Sequence, residues 1–462
     1  MNVPNRNESQ LREDALAIWN AGVDAVRPAH LIPQWVEVVG ETLLVGDLEL
    51  SLADVERIAV IGFGKASAGM AAALEGVLGP QIAAAKQLGG WVNLPADCLL
   101  PTKWIHLHPA RPAGVNEPTE EAVAGTREIL NLVESLGPRD LCICLTSGGG
   151  SALLPMPIDG FSLADKIEIT RELSASGATI QQINTVRREL SEVKGGGLLH
   201  ACGAGQMISL ILSDVLGDDL KTIASGPTVR CEPKPESAIA TLEELGLAKS
   251  PLGQRAITAI RNQPRHVEQS KQCEVVNLVI GNNATAVDAA GVKAEQLGYS
   301  HAMTSAREPE GHAEEVGMHL GEMARTMRDS TGSNSTDPNS TGPDCLISGG
   351  EPVVKLVSEV VRGRGGRNQQ LCLAALNKLE DWHGVSLISG GTDGEDGPTD
   401  AAGAIVTAGI VAKAKELELA PADYLLRNDA YTFFEQVGGL VKTGPTNTNV
   451  CDLRVVTVNQ GR

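Results

Sequence analysis

One arrangement recurs along this chain: a short apolar run rich in β-branched residues, a turn built on glycine, and a helix of small residues. "RIAVIGFGKASAGMAAALEGVLG" (57–79) has it, and "DLCICLTSGGGSALLPMP" (140–157) and "MISLILSDVLGDD" (207–219) repeat the opening order. Strand, tight loop and helix in succession predict a doubly wound α/β sheet. Ligands of such sheets bind beyond the carboxyl ends of the strands, where every one of these glycine clusters falls. The phrase strand-Ser-Gly-Gly occurs at Ser147, Ser348 and Ser389 without a fixed period. That excludes a solenoid and points to several strand ends converging on one cleft.

A chain of 462 residues is too long for one typical core, so two domains are expected. Aromatic residues make up only 3 %, which leaves Ala, Val, Ile and Leu to fill the interior, as in helices packed on a parallel sheet. Residues 8–27 read as an amphipathic helix with Leu11, Ala15, Ile18, Trp19, Gly22 and Val26 on one face. A proline-bearing helical stretch near 232–264 marks the boundary, giving an N-terminal domain over 1–250 and a C-terminal one over 251–462. A second α/β series starts at "CEVVNLVIGNNATAVDAAGVKAEQLG" (273–298), and "RDSTGSNSTDPNSTGPD" (328–344) reads as a mobile insertion.

The formal charge of -19 argues against nucleic acid and anionic membranes as partners. An anionic substrate must therefore be held by local Lys and Arg residues. The nine cysteines lack zinc-type spacing and read as buried, reduced thiols. With neither a signal-peptide core nor a membrane-length apolar run, the expectation is a soluble, cytoplasmic protein.

Gly148, Gly149, Gly150 and Ser151 follow a strand and open a helix. Their backbone N–H groups suit phosphate or carboxylate oxygens. Lys65 stands at the first strand–helix turn, placed to neutralise a phosphate. Neither standard phosphate signature fits: Ala59 occupies the leading glycine position of a P-loop, and Ser67 replaces the third glycine of the dinucleotide fingerprint. Arg362, Arg364 and Arg367 precede a helix, where a cation opposes the dipole unless an anion binds there. Asp214, Glu351, Asp393, Glu395 and Asp396 lie at strand ends and suit magnesium or acceptance of a hydroxyl proton. His108 ends another strand and reads as a structural or substrate-contacting residue. No G-x-S-x-G elbow is present.

Taken in order, "GFGKASAGM" (62–70), "LTSGGGSALLPMP" (145–157), "SGATIQQINTVRRELSEVKGGGL" (176–198), "LSDVLGDDLKTIASGPTV" (212–229), "GRGGRNQQL" (363–371), "SGGTDGEDGPTDAAG" (389–403) and "TGPTNTNVCDL" (443–453) resemble the glycerate 2-kinase family with a C-terminal MOFRL domain. The likeness covers nearly the whole chain; its departures are a less regular "GVNEP" after His108-Pro109 and the 328–344 insertion. It implies transfer of the γ-phosphoryl of ATP to the 2-hydroxyl of D-glycerate with Mg²⁺. It also implies a larger N-terminal three-layer, mostly parallel α/β domain, a smaller C-terminal α/β domain, and an active site in the cleft between them. Lys65 and Arg367 would be the residues tied to activity, with Asp214 as a further catalytic group. Ser147, Gly148–Gly150, Ser151, Asn368, His108 and Glu351 would bind substrate or phosphate, and Asp214, Asp393 and Asp396 would hold magnesium. The partners would be small molecules, with a homodimer left open. Two rivals stand beside this reading: an NAD(P)-dependent hydroxypyruvate reductase, and a non-catalytic module binding a nucleotide or carboxylate.

Overall fold

A computed structural model describes residues 6–112, 114–115, 117–263, 273–329 and 342–459. Most of the expected insertion and Asn116 of "GVNEP" lie outside the described residues. The chain forms two compact units, Pro28–Ile280 and a second made of residues up to Arg27 together with those from Gly281 onward. This differs from the expected division at residue 250 in two respects, and each has a packing reason.

The Pro28–Ile280 unit begins with the helix Pro28–Trp35, followed by an antiparallel meander of β1 (Val36–Val39), β2 (Thr42–Val45) and β3 (Leu48–Ser51). Its main sheet holds β4 (Ile58–Phe63), β5 (Gly89–Pro95), β6 (Ile105–Arg111), β7 (Leu141–Thr146), β8 (Gln206–Leu212) and β9 (Glu274–Gly281), in the order β6-β5-β4-β7-β8-β9. β4 pairs in parallel with both β5 and β7, and β5–β6 and β7–β8 are parallel as well. β4 and β7 are buried at every position, as continuous apolar runs in a sheet covered on both faces should be. The order reverses between β4 and β7, which is the topological switch point where doubly wound sheets bind ligands. β9 completes this sheet, so the proline-rich stretch near 251 is interior to the unit. There the helices Pro235–Glu244 and Pro251–Asn262 pack with Leu163–Ala175 and Ile180–Glu189 around Phe161, Leu173, Val186, Leu242 and Ile257.

The other unit is built on a mixed sheet in the order β10-β11-β15-β12-β13-β14: β10 (His301–Ser305), β11 (Cys345–Gly350), β12 (Val385–Gly391), β13 (Gly403–Thr407), β14 (Leu440–Val441) and β15 (Asp452–Val458). β15 runs antiparallel between β11 and β12, so those two strands point the same way. The N-terminal helix Glu8–Ala25 belongs to this unit. Asn7 caps it in a capping box with Gln10, and its buried face is Leu11, Ala15, Ile18, Trp19, Gly22 and Val23. That face packs on Val287, Ala290, Ile347, Ile388, Leu453 and Val455, and the Trp19 indole N–H donates to the Leu453 carbonyl at 3.0 Å.

All nine cysteines are free, and eight are buried. Cys142 and Cys144 share one face of β7 in an apolar cluster with Cys202. No helix among the described residues is long and apolar enough to cross a membrane.

Candidate functional site

In the Pro28–Ile280 unit, the turns after β4 and β7 lock together at the switch point. The Lys65 N–H donates to the Gly148 carbonyl at 2.9 Å, and the Ser147 N–H to the Phe63 carbonyl at 3.1 Å. The Ser147 hydroxyl accepts the Ala66 N–H at 2.9 Å. Gly64 is in the left-handed region at φ +130, and a side chain there would collide with Ser147. Ser147 thus joins the two turns through its N–H and its hydroxyl oxygen. Gly149, at φ +76, is exposed at the rim; a Cβ placed on it would lie 3.7 Å from both the Lys65 side chain and the Arg111 guanidinium. The N–H groups of Gly148 and Gly149 form no backbone hydrogen bond among the described residues. Two donors and two cations therefore gather at one turn, an anion-binding arrangement.

Ser151, in the short helix opened by Gly150, is held by two further cations. Its hydroxyl accepts from Lys194 Nζ at 2.8 Å and from Arg187 Nη2 at 2.6 Å, and its carbonyl accepts from Lys194 at 3.2 Å. Asp214 stands just beyond β8, half-buried. His108 lies within β6, and its Nε2 pairs with the Glu121 carbonyl at 2.9 Å while its ring packs against Trp91. Those contacts make it a sheet-to-helix fastener.

In the other unit, Arg367 opens the helix Arg367–Lys378 and is clamped by carboxylates. Its Nε and Nη2 donate to the two oxygens of Asp452 at 2.7 and 3.0 Å, and Nη1 donates to Glu351 at 2.7 Å. Burial works against the guanidinium charge, but Asp452 and then Glu351 more than offset it, so the group is held above its ordinary range. Three of its five N–H donors are used, and about a third of the side chain is exposed, which leaves donors for a ligand. Glu351, which was expected to meet substrate, pairs with Arg367 through one oxygen and keeps part of its side chain exposed. Burial raises its own carboxyl pKa, and Asp452 and Asp393 add to the effect.

Asp396 and Asn368 are structural here, contrary to expectation. Asp396 is buried, and its oxygens accept the backbone N–H groups of Asn368 at 3.0 Å and Gln369 at 2.8 Å, capping the helix from a neighbouring loop. Both of its oxygens are thus hydrogen-bonded. Asn368 is buried as well, bonded to Asp396 and to the Ser389 hydroxyl. Asp393 is partly open, with one oxygen accepting the Glu395 N–H at 3.0 Å. Arg364 stacks on Tyr431, and Arg362 pairs with exposed Glu359.

The two later Ser-Gly-Gly motifs form the carboxyl ends of β11 and β12, paired with β15. Ser348 and Ser389 flank Arg454, Gly349 and Gly390 flank Leu453, and Gly350 and Gly391 flank Asp452. A side chain on Gly390 would press on the Trp19 ring at 2.8 Å, and one on Gly349 would collide with Asn283. Glycine is therefore required by close packing there.

Two family models match the chain, with bounds that differ from those of the two compact units. A family model described as a domain of unknown function, DUF4147, matches residues 14–260, and the MOFRL family model matches 344–452. A glycerate kinase of Danio rerio is 35 % identical, over 97 % of this chain and 98 % of its own length. This chain belongs to the glycerate kinase family. A D-glycerate 2-kinase of Thermotoga maritima is 37 % identical over 87 % of the chain and 90 % of its own length. A glycerate kinase crystal structure from the same organism superposes with a TM-score of 0.79 at 34 % identity, covering 97 % of this chain and all of that one. A relative in Agrobacterium vitis, 35 % identical over 87 % of each chain, bears a provisional hydroxypyruvate reductase name.

Within the glycerate kinase fold described here, sequence reasoning missed Asp452, Arg187 and Lys194. Asp452 opens its strand inside the run "TNVCDLRVV", and a carboxylate preceding a buried strand was the available signal. For Arg187 and Lys194 the signal was a cluster of basic residues leading into Gly195-Gly196-Gly197.

Proposed function

We propose that this chain transfers the γ-phosphoryl group of ATP to the 2-hydroxyl of D-glycerate, giving 2-phosphoglycerate and ADP. The observation that carries the reading is the interlocked pair of turns at the switch point, which brings Lys65 beside the Gly148–Gly149 turn. Membership of the glycerate kinase family supports it. Phosphoryl transfer depends on positioning and on neutralising charge, and these turns are equipped for both.

In this reading, Lys65 neutralises the oxygens of the transferring phosphoryl group, and Gly148 and Gly149 donate backbone N–H groups to phosphate oxygens. Arg367, oriented by Asp452 and Glu351, uses its remaining donors for the glycerate carboxylate. The 2-hydroxyl oxygen bonds to the γ-phosphorus as the bond from that phosphorus to the β–γ bridging oxygen breaks. Asp214 accepts the hydroxyl proton, and ADP leaves with the bridging oxygen.

Magnesium fits this reading through Asp393. No three His, Cys, Asp or Glu side chains among the described residues form a metal-holding group, but Mg²⁺ commonly uses one or two carboxylates plus substrate phosphates. Asp393 and Glu351 repel each other, and a cation would relieve that repulsion. Bound there, the ion would neutralise phosphate charge.

The reductase reading lacks its cofactor loop. Ser67 replaces the third glycine, and its hydroxyl donates to the Gly64 carbonyl at 2.6 Å, closing the turn. ADP release that requires both D-glycerate and Mg²⁺, with no change in nicotinamide absorbance, is the expected assay result. Hydroxypyruvate-dependent oxidation of a reduced nicotinamide without ADP release would reject the kinase assignment.

A further inference from the structure

Beside the Gly148–Gly150 turn lies a second concentration of positive charge. Arg187 comes from the helix Ile180–Glu189 and Lys194 from the loop that follows; both converge on Ser151, as described above. Lys194 is 4 % exposed, and its ammonium also reaches the Ala224 carbonyl at 3.3 Å. Behind them, Lys166 of the helix Leu163–Ala175 is 6 % exposed, and its ammonium has no hydrogen-bond partner. None of the three cations forms an ion pair with a carboxylate among the described residues. The carboxylate that acts on Lys166 from a distance is Glu192, whose residue is exposed.

Burying like charges together without counter-charge is costly. Burial, followed by mutual repulsion, lowers Lys194 well below its usual range and brings Lys166 to about 7. The backbone opposite is also held out of its preferred state. Ala224 and Ser225 sit at φ +49 and +67, fixed where Gly195 and Gly196 donate to the Ser225 and Gly226 carbonyls at 3.0 and 2.8 Å. Strain of this kind in non-glycine residues gathers at ligand sites. A bound anion would supply the missing charge and take the hydroxyls and ammonium groups as donors.

We infer that Arg187, Lys194 and Ser151 form a binding site for a phosphate group, with Lys166 as the charge behind it. The site extends the anion-binding turn at Gly148–Gly150 and rests on the phosphoryl-transfer reading for its ligand class. A chain of phosphates would run from Lys65 along the turn to Arg187. A phosphorylated product would place its single phosphate at the same donors.

Calorimetric titration of the full chain tests this without turnover. Arg187→Gln, Lys194→Gln and the unaltered protein are titrated with pyrophosphate, ATP, 2-phosphoglycerate and D-glycerate. Binding of at least one phosphate-bearing ligand should weaken by about tenfold or more in each variant, while D-glycerate binding stays unchanged. Loss confined to pyrophosphate and ATP assigns the site to the nucleotide; loss confined to 2-phosphoglycerate assigns it to the product. Equal affinity for every phosphate-bearing ligand, or loss of D-glycerate binding alone, would overturn the inference. Should Lys194→Gln fail to fold, the melting temperature of the unaltered protein decides. It should rise with millimolar pyrophosphate above the value in sodium chloride of equal ionic strength, and no rise overturns the site. Phosphate binding without glycerate-dependent ADP release would reject the kinase reading and leave this site standing.

Discussion

Arg367 and Asp452 form a two-point pair, with Nε and Nη2 on one side and both carboxylate oxygens on the other, at 2.7 and 3.0 Å. Asp452 is fully buried at the start of β15, while Arg367 keeps a third of its side chain open. The pair fixes the plane of the guanidinium from behind and leaves its outer edge to a ligand. Asp452→Asn should lower stability by about 2–3 kcal/mol, less than for a fully buried pair because Arg367 is partly solvated. Urea unfolding measures the loss. The glycerate KM should rise with it, since the arginine is no longer oriented.

Lys65→Ala should reduce kcat by about 100- to 1000-fold, the scale of removing one charge-stabilising group. Lys65 is anchored through its backbone N–H, which the substitution keeps, so circular dichroism should be unchanged. Turnover within a few-fold of the unaltered enzyme would remove Lys65 from the chemistry.

Asp396 should make stability fall as pH rises. Burial pushes its carboxyl up to about 7 despite the two backbone N–H groups that favour the charged form. The folded state therefore holds the proton more tightly than the unfolded state, whose carboxyl titrates near 3.9. The stabilisation is present below about 4 and lost through about 7, with a slope of at most about 1.4 kcal/mol per pH unit. Comparing unfolding free energies of the unaltered protein and Asp396→Asn across pH 4–8 isolates this term. Parallel curves would mean that the group titrates at its ordinary position.

Gly390→Ala should destabilise the second unit by about 1–3 kcal/mol through overpacking against Trp19. Gly76→Ala, where a Cβ meets nothing within 4 Å in the middle of a helix, should be neutral or slightly stabilising. Thermal melts of the two variants should diverge in sign. A Gly390→Ala melt matching the unaltered protein would mean that the indole yields freely.

The doubly wound sheet was legible because β4, β7 and β8 are unbroken apolar runs ending in glycine or aspartate turns, a local signal. The pairing of Ser348 and Ser389 across Arg454 was not, because it depends on β15, which arrives about a hundred residues after β11. The same long-range closure hid the place of the N-terminal helix. Its periodicity marks the buried face, but nothing local says that Trp19 will meet Leu453. Lys65, Gly149 and Arg367 could be picked out because turn chemistry and a helix start are local. Ser147, Asn368, His108 and Asp396 looked alike in sequence, yet each is bonded to neighbouring backbone or buried side chains. Which polar group faces a ligand is decided by what else reaches it, and that information is tertiary.

Phosphorus NMR of the products formed from ATP, Mg²⁺ and D-glycerate tests the central claim most directly. The account predicts a 2-phosphoglycerate resonance appearing with ADP, absent when D-glycerate is left out. Phosphate on the 3-hydroxyl would contradict the assigned seating of the acceptor, and no phosphorylated glycerate at all, with folded protein, would contradict the function.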